Sequence, residues 1–114
     1  MNCDIISLVK EHYATERLFY AVVAQDCSNG GGCPRTDVFY MIFINENEAF
    51  DSLEKMNYAE ENDFFYCIDW HVECNTISNF VRNYNHDKYA LKSLYNAVVQ
   101  HLNQNGLISL EGIN

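Results

Sequence analysis

The stretch Cys67-Ile-Asp-Trp-His71-Val-Glu73-Cys74 gathers two thiols, an imidazole and two carboxylates within eight positions, and contains both C-x3-H-x2-C and H-x-E. Zinc binding requires Cys and His side chains that converge on one point. On a helix Cys67, His71 and Cys74 would share a face. On a strand, alternation sends Cys74 to the opposite side from Cys67 and His71. The aromatic content of Phe64 to Trp70 favours a strand, so these residues read as free thiols and a strand histidine rather than zinc ligands. Cys27 and Cys33 are the remaining candidates for a four-ligand set, but C-x5-C across glycines is not a tight zinc knuckle.

Three other chemistries are available by residue type. The H-x-E triplet of zinc deaminases needs a downstream P-C-x-x-C, and here the only Cys-Pro pair, Cys33-Pro34, lies upstream and in reverse order. The loop Asn29-Gly30-Gly31-Gly32 has amides free to cradle an anion. It lacks the lysine and the following helix of a phosphate loop and reads as a hairpin loop. Cys33 as a nucleophile would need His71 as base, with Asp69 to orient it, and nothing in the spacing brings these together. The expectation is a protein that is not an enzyme and has no catalytic residue, metal site or cofactor.

Charge is the stronger signal. Between Thr36 and Asn75 ten acids face one base, Lys55, whereas the rest of the chain balances six acids with six bases, so the net −9 is local. Solubility alone does not require that concentration. With seven Lys and Arg and a pI near 4.6, the chain should repel nucleic-acid phosphates and anionic membranes. A basic protein is the partner such a segment fits.

At 114 residues, 48% hydrophobic and 14% aromatic, the chain should form one domain spanning residues 1–114. Its fold class is α+β, with a three- to four-stranded, mainly antiparallel sheet and helices packed on it. Ile5, Ile6, Val9, His12 and Tyr13 recur at helical spacing over 4–13. Leu18–Ala24 and Val38–Ile44 are apolar, β-rich runs joined by a turn-forming loop, hence an antiparallel pair. Asn45 caps a helix over 46–56 that places Ala49, Phe50, Leu53 and Met56 inward and Glu48, Asp51 and Glu54 outward.

After a polar connection over 57–63, Phe64–Cys74 reads as a third strand whose core face is Phe64, Tyr66, Ile68, Trp70, Val72 and Cys74. A short helix follows from Ile77 to Tyr84, capped by Asn75 or Thr76. A longer one, capped by Asp87, carries Leu91, Leu94, Tyr95, Val98 and Leu102 and stops at Gly106. Leu107–Leu110 adds an edge strand or docks.

The first ten residues contain an acid where a secretory signal needs bases. No apolar run exceeds seven residues, far short of the roughly 18 a membrane helix needs. Five cysteines, an odd number, fit a reduced compartment, with a Cys27–Cys33 bridge as the alternative. The expected location is the cytoplasm.

These readings converge on a small acidic protein, monomeric or weakly dimeric, that binds and neutralises a basic protein partner such as a toxin or nuclease domain. Its contact residues would be Glu46, Glu48, Asp51, Glu54, Glu60, Glu61 and Asp63. The role expected is that of an immunity protein or antitoxin blocking a nuclease-type effector. A phage anti-restriction or anti-CRISPR inhibitor and a small Cys/His metal-dependent module are the alternatives. The likeness to such inhibitors is one of size and charge.

Overall fold

The computed structural model describes residues 2–26, 36–60 and 68–109. Their order is α1 (Asn2–Lys10), β1 (Leu18–Asp26), β2 (Thr36–Phe43), α2 (Glu46–Glu60), β3 (Ile68–Thr76), α3 (Ile77–Asn83) and α4 (Lys88–Gln104). The three strands form one antiparallel sheet in the order β2-β1-β3, which places the α+β class on firm ground.

β1 is central because it is apolar on both faces. Phe19, Ala21 and Val23 face one way and Val22 the other, and all four are buried. Ala21 stands opposite Ile42, and Val23 opposite Phe39. With them pack Ile5 and Val9 of α1, Phe80 and Val81 of α3, and Leu91, Leu94, Val98 and Leu102 of α4. This is the main core. The other face, where Val22 pairs with Met41 and Val72, is covered by α2, whose Ser52 Oγ meets Met41 Sδ at 3.1 Å.

A bulge breaks the β1–β2 register. Val22 faces Met41 and Val23 faces Phe39, so Tyr40 is the extra residue, half-exposed, with its ring 5.2 Å from that of Trp70. The outer edge of β2 is occupied by α4: Phe39 N donates to Ser93 Oγ at 2.9 Å, and Ser93 Oγ donates to the Ala90 carbonyl at 2.7 Å. An edge amide is thereby satisfied without a fourth strand.

Local signals explain the helix ends. Asn45 Oδ1 accepts from Asn47 N at 2.8 Å, Thr76 Oγ1 from Asn79 N at 3.2 Å and Asp87 Oδ1 from Ala90 N at 3.1 Å. Gly106, at φ 71°, ends α4. Its N–H donates to Asn103 O at 3.0 Å and Leu107 N–H to Leu102 O at 2.9 Å, the paired bonds of a Schellman stop. After it Ile108 docks on the core, and no strand forms through residue 109.

Four expectations change. α1 ends at Lys10 rather than 13, where one carbonyl, Val9, is shared between the amides of His12 (three residues on) and Tyr13 (four residues on), the three-centre bonding of a helix end. α2 runs on to Glu60, since Asn57-Tyr-Ala-Glu60 contains no Gly or Pro to stop it. Phe50, expected inside, is 46% exposed. On β3, His71, Glu73 and Asn75 stand opposite Val23, Ala21 and Phe19 and so share the main-core face, while Trp70 and Val72 are half-buried on the α2 side and Cys74 is exposed. Phe64–Cys67, the expected start of that strand, lies outside the described residues.

Candidate partner-binding site

α2 carries the acidic surface. Glu46, Glu48, Asp51 and Glu54 are all exposed on it. Glu60 falls on its last turn, and Glu61 and Asp63 lie outside the described residues. The helix presents these carboxylates because Ala49 alone among its described side chains is fully buried, leaving a shallow contact with the sheet. Glu46 and Glu48 in the first turn also meet the positive end of the helix dipole, which makes their charge locally favourable.

Two apolar features adjoin the acids. Phe50 projects between Glu46 and Glu54, which sit one turn to either side. On the other flank, an open groove of about 350 Å³ runs between α2 and β2, lined by Met41, Phe43, Glu48, Asp51, Ser52, Lys55 and Met56. Met41, Phe43, Ser52 and Met56 are its half-buried lining, and exposed Glu48, Asp51 and Lys55 edge it. Sequence periodicity identified the acids but not the groove, which depends on how α2 crosses β2.

The H-x-E motif does something different from metal binding. His71 Nε2 donates to Glu73 Oε2 at 2.8 Å, and Tyr84 Oη donates to the same oxygen at 2.8 Å. Burial raises the Tyr84 pKa well above its usual value. The hydrogen bond to Glu73 and the charges of Glu73, Asp37 and Asp87 push the same way, so the phenol stays protonated and keeps donating. The trio clasps β3 to the end of α3. Asp37, on the same face, holds a buried Oδ1 with no partner among the described residues.

Cys74 is exposed and faces away from His71, so the alternation that disfavours zinc holds along β3. Among the described residues no three His, Cys, Asp or Glu side chains are grouped to hold a metal ion. Cys27, Cys33 and Cys67, and with them the Gly loop, the Cys27–Cys33 bridge and the Cys33–His71 pair, lie outside the described residues.

No protein-family model, curated protein or solved structure matches this chain. Among the described residues no helix is long and apolar enough to cross a membrane.

Proposed function

We propose that this protein binds a basic protein in the cytoplasm and neutralises it by occlusion, as an immunity protein does with a nuclease-type toxin. The observation that carries the reading is the concentration on α2 of four exposed acids and an exposed phenylalanine beside an open groove edged by Glu48, Asp51 and Lys55. Carboxylates steer a cationic partner over a Debye length of about 8–10 Å and fix its orientation, while a desolvated aromatic anchor supplies affinity. A partner whose Lys and Arg normally hold phosphates would lose access to its substrate once those groups face Glu46, Glu48, Asp51 and Glu54.

The test compares immobilised wild type with a Glu46→Gln, Glu48→Gln, Asp51→Asn, Glu54→Gln variant of unchanged circular dichroism, both exposed to source-cell lysate and eluted with rising salt. Retention of a basic protein by the wild type alone, released as salt rises, is the expected result. Equal retention by both would move the interface away from α2.

A further inference from the structure

We propose that the groove between α2 and β2 is an arginine socket. It takes one arginine side chain of the partner, its alkyl stem over Met41, Phe43 and Met56 and its guanidinium between Glu48 and Asp51. The inference rests on the basic-partner reading and names what this part of the surface receives.

Four properties of the groove select that occupant. At about 350 Å³ the groove is small, near the lower end of the ~300–1,000 Å³ typical of ligand pockets, and so suits one long side chain better than a helix. Methionines on both walls give a pliable, polarizable surface on which an alkyl stem can settle. Glu48 and Asp51 lie three residues apart on α2, so both carboxylates overlook the same space. Finally, Lys55 stands one turn beyond Asp51 and sets a polarity: a cationic head is drawn to the Glu48 end and repelled from the Lys55 end.

With two carboxylates against one ammonium, charge complementarity favours a cationic over an anionic occupant, and a wholly apolar one would leave the two carboxylates unused. Between the two long cations, arginine fits better. Its planar fork presents five donors and can engage two carboxylates together, and it sheds water more readily than an ammonium. Arginine is also enriched among residues that dominate interface energetics. Because the rim is exposed, a single socket should bind at about millimolar strength, with the rest of the interface supplying the remainder.

Methyl-labelled NMR of the full chain provides the test, with the Met41 and Met56 methyls as reporters and the buried Leu94 methyls on the opposite face as reference. The probes are acetyl-arginine amide, its neutral isostere acetyl-citrulline amide, acetyl-lysine amide and free arginine. Acetyl-arginine amide should move Met41 and Met56 saturably and leave Leu94 unmoved. Acetyl-citrulline amide should bind about tenfold more weakly or worse. Glu48→Gln with Asp51→Asn should cost the arginine probe about tenfold, whereas Glu11→Gln, an exposed acid on the turn after α1, should cost nothing.

Silent Met41 and Met56 methyls up to about 20 mM probe would overturn the socket, as would equal binding of the citrulline probe. Equal binding of the lysine probe would reduce it to a general cation site and overturn the arginine assignment. Tighter binding of free arginine than of the blocked amide would assign the groove to a small molecule and likewise overturn it. The two failures are distinguishable. If the acids of α2 retain a basic protein while arginine moves neither methionine, the socket is wrong and the acidic interface stands. If arginine seats in the groove but the four-acid variant still holds its partner, the groove binds free arginine side chains that the partner does not supply, and both the partner assignment of the socket and neutralisation through α2 fail.

Discussion

The two faces of this sheet are covered to very different depths. On one, Ile5, Phe80, Leu94 and Leu102 are each less than 2% exposed, and α1, α3 and α4 close over Phe19, Ala21 and Val23. On the other, α2 buries Ala49 completely, leaves Phe50 46% exposed and stands off β2 far enough to open a groove. Both faces share the same central strand, whose Val22 and Val23 are equally inaccessible. The contrast therefore comes from the helices. The first face uses long apolar side chains to stabilise the fold, and the second gives up burial to keep acids, an aromatic ring and a concavity at the surface.

Breaking the deep face should have the largest effect. Leu94→Ala removes a fully buried side chain and leaves a cavity, so unfolding free energy should fall by about 2–5 kcal/mol in urea titrations. A loss below about 1 kcal/mol would show that the α4 side is not the stabilising one.

Tyr84→Phe should come next. It removes a donor to Glu73 Oε2 in a half-buried setting and should cost about 1.5–3 kcal/mol, the range for bonds to a charged acceptor. Its phenol titration should also disappear from the high-pH end of the absorbance profile, where Tyr84 is the most strongly raised of the described tyrosines.

His101 distinguishes the faces by pH. It is 6% exposed at the boundary of α4 and β2, with Tyr13 Oη 3.0 Å from Nε2. Asn105 Nδ2 donates to the His101 carbonyl and faces Nδ1 at 3.3 Å, which makes Nδ1 the acceptor of a neutral ring. Burial lowers the His101 pKa, while a bond to the Ile42 backbone and the charge of Glu48 oppose the shift without cancelling it. Below its unfolded value near 6.5 the unfolded chain takes up the proton first, so stability is lost as pH falls through that value toward the folded one. Urea midpoints should drop between pH 7.5 and 6, and His101→Gln should flatten that slope. An equal slope in the variant would assign the effect to other groups.

The smallest stability effect should come from the shallow face. Phe50→Ala should leave unfolding free energy within about 0.5 kcal/mol of wild type while weakening partner retention, the pattern of a surface anchor. A loss of several kcal/mol would mean that Phe50 belongs to the core after all.

Much of this contrast is legible in the chain. α4 announces itself by the Asp87 cap, apolar residues at helical spacing and Gly106, each of which acts within a few residues. The exposure of Glu48, Asp51 and Glu54 follows from their recurrence every three residues. Alternation also orders β3 correctly but misassigns its faces. Trp70 and Val72 look like the core side, yet their side meets the shallow α2 layer, and polar His71 and Glu73 are accommodated on the deep side because Tyr84 reaches Glu73. That partner is eleven residues away and leaves no local signature.

What the sequence by itself determined is therefore what short-range physics controls: the caps, the strand and helix periods, the antiparallel pairing across a turn-rich loop, and the exposure of Glu48, Asp51 and Glu54 on α2. The tertiary structure alone decided which face of β1 would be deeply packed, how far α2 stands from β2, and that His71, Glu73 and Tyr84 would meet. Those outcomes depend on the relative bulk of side chains from different elements competing for the same space, and no spacing along one element encodes that competition.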